Sequence, residues 1–247
     1  MRFSEQILTQ SAWFLDYDGS LCPHLEIWEE RLYDATEIFQ CVDTLSNRSA
    51  ALFWNTGRRP ESLFSVYDDF SKFPGYFIQG SIFYDSKNKK SDVLGPKLPD
   101  ELVRTYQELV ARYPQFRLEI KETSLRIAPH KSLHVESLHS LVDAHSLGRF
   151  GVDWEWMKGR RGVELLARGF NKGTPVESYL KANPSHIPIA VGDDIFDMPA
   201  VSAALRFGGF AFLVGDHCGW ITEIPHWAEQ IKYFESPQML LDWINRL

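Results

Sequence analysis

Four short runs of consecutive apolar residues punctuate this chain: Trp13-Phe14-Leu15, Ala50-Ala51-Leu52-Phe53-Trp54, Ile187-Pro188-Ile189-Ala190-Val191 and Phe210-Ala211-Phe212-Leu213-Val214. A strand with one face in water alternates apolar and polar residues; runs without alternation belong to strands covered on both faces. Amphipathic helical patterns lie between them. Leu32, Ala35, Phe39, Val42 and Leu45 recur at helical spacing, and Pro60 opens a short helix with Leu63, Phe64 and Tyr67 on one side. A further helix is expected after Gly173, and Pro237 starts a last one carrying Leu240, Leu241 and Ile244. Apolar strands alternating with such helices predict an α/β fold with a doubly wound parallel sheet.

The texture changes in the middle of the chain. Ile82-Phe83-Tyr84-Asp85 reads as a strand running into the exposed turn Ser86 to Lys90. A helix is expected to start near Asp100, as its N-cap after Pro99, with Leu102, Val103, Tyr106, Leu109 and Val110 along it. Phe116 to Ile120 and Ser124 to Ile127 alternate at period 2, the pattern of a half-buried sheet. A helix from Leu133 to Leu147 and strands near Val152–Trp156 and Val163–Leu166 complete an α+β insert from roughly Gly95 to Gly169. The expected division is therefore a core of residues 1–95 and 170–247, with residues 96–169 inserted.

Composition removes several classes. With 44% hydrophobic residues and 14% aromatics the chain can bury a large core, so disorder is not its main state. A net charge of −7 offers no basic footprint for nucleic acid. The longest apolar stretch, Phe207 to Val214, is broken by Gly208 and Gly209 and falls far short of the ~20 residues of a membrane span. The first six residues contain Glu5 and no apolar core, unlike a secretory signal. Cys22, Cys41 and Cys218 are scattered, fitting neither a disulfide framework nor a zinc cluster. A soluble cytoplasmic protein with no membrane or nucleic-acid partner is the expectation; nothing in the sequence speaks to oligomeric state.

The polar residues that end the apolar runs carry the chemistry. Asp16-Tyr17-Asp18-Gly19-Ser20 follows the first run, where open α/β sheets place their ligands. It reads either as a plain turn with Asp and Gly at favoured positions or as two carboxylates aimed into one crevice. Gly192-Asp193-Asp194 and Asp197 follow another run; one helix cap explains one of these carboxylates, not three. If both loops share a sheet edge, the carboxylates repel unless a divalent cation joins them, and all-oxygen donors select Mg²⁺ over zinc. Thr56-Gly57-Arg58-Arg59 offers a hydroxyl, a close backbone approach and a bidentate charge to a phosphate, although Arg59 reads better as solvated. Lys172, in Asn171-Lys172-Gly173-Thr174-Pro175, stands at a helix start that disfavours cations; it is either a surface lysine or the partner of an anion.

Taken in order, D-x-D-G-S, T-G-R, N-K-G and G-D-D-x-x-D resemble the haloacid-dehalogenase (HAD) superfamily of aspartate-nucleophile phosphotransferases, and within it the trehalose-6-phosphate phosphatase family. Phe14 to Leu21 is close to that family's LDYDGTL, and Arg161 to Gly173 resembles its VExRPxGxxKG stretch. The long gap between Thr56 and Lys172 matches members with a large α+β (C2-type) cap. The sequence departs at Ser20, where Thr is usual, and at Phe196 and Met198, which replace Thr and Glu. Gln79-Gly80-Ser81 stands where the family often has an acidic residue or His beside Gly, a position near the sugar. In the insert, Glu119-Ile120-Lys121 resembles an E-x-K sugar-contacting motif, with Pro129-His130-Lys131 a loose echo of the HYR that follows.

The resemblance implies a HAD-like core with an inserted cap and a Mg²⁺-dependent phosphatase acting on a small sugar phosphate. It implies Asp16 as nucleophile, Asp18 as acid and base, and Mg²⁺ held by Asp16, the Asp18 carbonyl oxygen and Asp193. Ser20, Thr56, Gly57 and Lys172 would hold the phosphoryl group, with Thr56 and Lys172 also counted as catalytic. Asp194 and Asp197 would orient metal-bound water or pair with Lys172. Arg58, Glu119, Lys121 and Glu164 would contact sugar, although Glu119 and Lys121 also suit a solvated strand face. Another glycosyl phosphate, such as a mannosyl- or glucosyl-phosphoglycerate, is the alternative substrate; a phosphomutase or a non-catalytic sugar-phosphate sensor is the alternative function.

Overall fold

A computed structural model describes residues 3–24, 35–146, 153–215 and 229–247. The expectations placed on Leu32, Leu147, Val152 and Cys218 lie outside the described residues. The chain divides into two compact units, Met1–Asp92 with Asn171–Leu247, and Val93–Phe170.

The first unit is built on an eight-stranded sheet. Its strands are β1 (Ser11–Leu15), β2 (Ala51–Asn55), β3 (Gly75–Phe77), β4 (Ile82–Asp85), β5 (Lys90–Val93), β10 (Ile187–Gly192), β11 (Phe210–Val214) and β12 (Ile231–Phe234). They lie in the order β12-β11-β10-β1-β2-β3-β4-β5. The pairs from β12 through to β3 are parallel, and β3 with β4 is antiparallel. The apolar runs are explained by what covers each face. Trp13 and Leu15 of β1 pack with Ile38, Val42 and Leu45 of α2 (Ala35–Arg48) and with Leu240, Leu241 and Ile244 of α8 (Pro237–Ile244). Ala12 and Phe14 pack on the other face with Val176 and Leu180 of α6 (Gly173–Ala182) and Ala200, Val201 and Ala204 of α7 (Met198–Arg206). This is the doubly wound arrangement expected from the sequence.

The second unit pairs an antiparallel sheet with two helices. Strands β6 (Phe116–Ile120), β7 (Ser124–Pro129), β8 (Trp154–Gly159) and β9 (Gly162–Ala167) lie in the order β6-β7-β9-β8. Leu102, Tyr106 and Leu109 of α4 (Asp100–Val110) and Leu138 and Val142 of α5 (Val135–Ser146) bury one sheet face with Phe116, Leu125, Ile127, Val163 and Leu165.

Several local expectations are corrected. Asp100 lies inside the first turn of α4 rather than capping it; Pro99 holds the cap position without a side-chain bond, and the Asp100 charge faces the helix N-terminus. The helix expected from Leu133 begins at Val135, after a 3₁₀ turn over Ser132–His134 that leaves Leu133 exposed. Helix α1 (Glu5–Gln10), capped by Ser4, and strands β3, β5 and β12 carry too few residues to show a period. Among the described residues, no helix is long and apolar enough to cross a membrane.

Candidate active site

Sheet order brings the motifs of the first unit together. Strand β1 lies between β10 and β2, with Leu15 beside both Val191 and Trp54. The residues that continue these strands, Asp16, Asp193 and Asn55-Thr56, therefore share one carboxyl-terminal edge. The Asp16 N–H donates to the Val191 carbonyl, which extends the β1–β10 ladder to the first carboxylate. Beyond it the chain turns sharply, with the Leu21 and Cys22 N–H groups donating to the Tyr17 carbonyl. Gly19 turns at φ +82°, in the left-handed region that favours glycine.

Lys172 is the hub. It occupies the N-cap position of α6 and is 3% exposed. Its Nζ donates to Asp16 Oδ1 at 2.7 Å and to Asp197 Oδ1 at 2.5 Å. The buried Asn55 side chain donates to the Lys172 carbonyl at 2.9 Å, fixing this loop to the end of β2. Burial alone would lower the Lys172 pKa, but Asp16 and Asp197 outweigh it and raise the lysine above its ordinary value.

Two buried carboxylates, Asp16 and Asp197, flank that charge, and a third, Asp193, lies beside them. Asp16, Asp193 and Asp197 each bring one ligand oxygen within 4.8 Å of the others. Ser20 lies between two of them, its hydroxyl 3.3 Å from Asp16 Oδ2 and 3.5 Å from Asp193 Oδ1. Burial pushes the Asp16 carboxyl well above its ordinary range; Lys172 pulls it down, while Asp197, Asp193 and Asp18 push it further up. The lysine is shared by Asp16 and Asp197, while Asp193 faces His24. Three carboxylates offering only oxygen donors fit a hard divalent cation such as Mg²⁺.

The neighbouring polar residues divide between this cluster and local architecture. Asp197 accepts from the Asp193 and Asp194 N–H groups and completes a capping box with Asp194 around the 3₁₀ turn Ile195–Asp197. Asp194 itself accepts from the Ile195 N–H at 2.6 Å. Of the pair expected beside the metal or Lys172, Asp197 touches the lysine and Asp194 serves as a cap. The buried Thr56 accepts from the Arg58 N–H at 3.3 Å. Arg58, expected among the sugar contacts, grips Asp18 with two hydrogen bonds of 2.6 and 2.5 Å and lies 5.1 Å from the Tyr17 ring centre. Burial would lower the Arg58 pKa, but Asp18 more than offsets it.

In the second unit, Lys121 Nζ donates to Glu164 Oε1 at 2.8 Å and the Ser124 hydroxyl donates to the same oxygen at 2.6 Å. All three residues are buried. Glu119 is exposed and stands opposite Arg126, which in turn stands opposite Glu164, so the three form a row across one sheet face.

Sequence reasoning missed His24, Asn55 and Ser124. His24 Nε2 lies 2.8 Å from Asp193 Oδ2, across 169 residues of chain. Only Asn55 gave a signal, as the polar residue that closes an apolar run.

The doubly wound sheet, with acidic loops at its carboxyl edge and a second antiparallel unit, is the fold of haloacid dehalogenase-like hydrolases. One such hydrolase from B. subtilis has a TM-score of 0.68 at 12% identity, over 96% of this chain and 99% of that one. The likeness extends to trehalose-6-phosphate phosphatases. The C-terminal domain of the C. albicans enzyme has a TM-score of 0.76 at 16% identity, over 99% of this chain and 96% of that one. A trehalose-6-phosphate phosphatase related protein has 0.68 at 19%, over 96% of each chain. At such identities the likeness is one of fold. No known family's sequence profile and no curated protein matches this chain.

Proposed function

We propose that this protein is a Mg²⁺-dependent phosphatase that hydrolyses a sugar phosphate, with trehalose 6-phosphate the first candidate, through an aspartyl-phosphate on Asp16. The observation that carries this reading is the buried group of Asp16, Asp193, Asp197 and Lys172 at the carboxyl ends of β1 and β10. A purely structural ion pair needs one carboxylate for its lysine. Here two carboxylates share the lysine and a third, Asp193, stands beside them against His24, a crowding of buried acidic oxygens that a further cation would relieve.

Asp16 attacks phosphorus and the bond to the leaving alcohol breaks. Asp18 gives a proton to that alcohol, then takes one from the water that hydrolyses the aspartyl-phosphate, releasing phosphate and restoring Asp16. Asp18 is held by both arms of Arg58 in this structure, so it must leave that pair before it reaches the alcohol. Ser20, Thr56, the Gly57 N–H and Lys172 hold phosphoryl oxygens, so catalysis is mostly positioning and electrostatics. Asp16, Asp193 and the Asp18 carbonyl would hold Mg²⁺, with Asp197 close enough to share it. When bound, Mg²⁺ would neutralise charge on the phosphoryl oxygens and the carboxylates. Sugar recognition is assigned to Arg58, Glu119, Lys121 and Glu164.

The test is a phosphate-release screen over sugar phosphates with Mg²⁺. The expected result is release from a disaccharide 6-phosphate, strongest with the trehalose derivative. Release from a glycosyl phosphoglycerate instead would move the substrate and keep the chemistry. No release from any sugar phosphate would end the reading.

A further inference from the structure

The resemblance assigns no role to His24, yet its ring is tied to the acidic cluster. Nε2 lies 2.8 Å from Asp193 Oδ2, and the His24 side chain is 24% exposed against 4% for Asp193. When Asp193 is ionised its Oδ2 can only accept, so the bond then requires the ring proton on Nε2. The other Asp193 oxygen, Oδ1, lies on the side of Ser20 and Asp16. The close oxygen cluster consists of Asp16, Asp193 and Asp197; His24 reaches it through Asp193.

The backbone beside this bond is shaped to admit it. A Cβ placed on Gly19 would overlap both the Asp193 carboxylate and the His24 ring. The glycine of D-x-D-G thus does more than permit a left-handed turn: it leaves the space in which His24 and Asp193 meet.

We propose that His24 is a positioning residue for the cation site, holding Asp193 Oδ2 so that Oδ1 is presented to the cation. The inference rests on reading Asp193 as a cation ligand. A carboxylate free to rotate must be ordered when the ion binds; one already held from behind by an imidazole is not, and it keeps one oxygen for the metal. His24 touches neither phosphorus nor the leaving group in this scheme. Its effect belongs in cation affinity, with turnover at saturating cation little changed.

The test uses the full chain stripped of metal, with Mn²⁺ as the probe and electron paramagnetic resonance to count the free ion. A melt in EDTA checks that each variant is folded. Wild type should bind Mn²⁺ and Asp193→Asn should lose that binding. His24→Ala should bind roughly ten- to a hundredfold more weakly, the usual consequence of removing a group that orients a metal ligand. His24→Gln, whose amide N–H can replace the ring donor, should recover most of the loss. In activity assays the Mg²⁺ concentration for half-maximal rate should rise in His24→Ala, while kcat at saturating Mg²⁺ stays within about threefold of wild type. Equal Mn²⁺ affinity in His24→Ala and wild type would overturn the inference and leave the cation site standing. A glutamine variant as weak as the alanine variant would also overturn it, since the ring's packing would then matter rather than its hydrogen bond. Absence of Mn²⁺ binding in wild type, or its survival in Asp193→Asn, would remove the cation reading and the role of His24 with it.

Discussion

Asp16 is the residue on which the proposed chemistry turns, and two properties of Asp16→Asn separate chemistry from architecture. Turnover should be abolished; activity within about tenfold of wild type would remove Asp16 from the mechanism. Metal-free stability should change far less than turnover. Burial raises the Asp16 pKa above 3.8, so the folded state holds this proton more tightly than the unfolded chain does. Stability present at low pH is therefore lost as pH rises through the raised folded-state value. Asparagine does not titrate and leaves Lys172 with Asp197, so in EDTA the variant's stability should depend less on pH than that of wild type, which falls as pH rises through the raised Asp16 value. Denaturant midpoints across pH would check the sign. Lys121 and Glu164 need a different design, because each is buried against the other. Removing Lys121 alone strands a buried carboxylate at a cost of about 3–5 kcal/mol and confuses stability with recognition. The paired change Lys121→Met with Glu164→Gln removes both charges. If they hold sugar hydroxyls, kcat/KM for a disaccharide phosphate should fall by about 1.5–3 kcal/mol, while a small aryl phosphate is turned over as before. Parallel losses on both substrates would withdraw the sugar assignment.

Helix α6 positions Lys172, and its first residue shows how tightly the element is held. A Cβ on Gly173 would stand 2.5 Å from the Pro199 carbonyl oxygen at the start of α7. Helix propensity favours Ala over Gly by about 1 kcal/mol, but overpacking against backbone costs about 1–3 kcal/mol and the carbonyl cannot rotate away as a side chain can. Gly173→Ala should therefore lower the melting temperature despite the better helix former, and Lys172 should move with the helix start, reducing kcat. A variant as stable as wild type would show that the α6–α7 contact relaxes freely. Elements of this kind were legible where their signals were local. Period and the positions of Pro60, Gly173 and Pro237 located α3 (Pro60–Phe64), α6 and α8. The three-residue β3 and the charged β5 were not legible, because their pairing is decided by neighbouring strands.

At the scale of the molecule, the acidic cluster should couple cation binding to stability. A ligand bound only by the folded state adds about 2.7 kcal/mol at a hundredfold excess over its Kd, equivalent to roughly 5–10 °C in a chain of this size. Mg²⁺ should raise the melting transition of the unit that carries β1 and β10, and EDTA should reverse the rise and silence activity. Ca²⁺ should substitute poorly in turnover, its larger and looser coordination placing phosphoryl oxygens badly. Full activity after exhaustive chelation would contradict the cluster argument.

The four apolar runs, by themselves, dictated a sheet covered on both faces, because a strand without alternation has no side to give to water. The acidic residues that end them named Asp16 and Asp193, since only the ends of such strands can gather charge at one edge. Tertiary structure alone decided the pairings. Lys172 lies 156 residues from Asp16 and His24 lies 169 from Asp193, separations over which no periodicity carries information. It also set contacts that the sequence left open: Asp194 caps a turn, Asp197 is the second anchor of the lysine, and Lys121 and Glu164 lie buried against each other. Burial and charge balance depend on which groups the fold brings within a few ångströms, and strand order sets that, not local sequence.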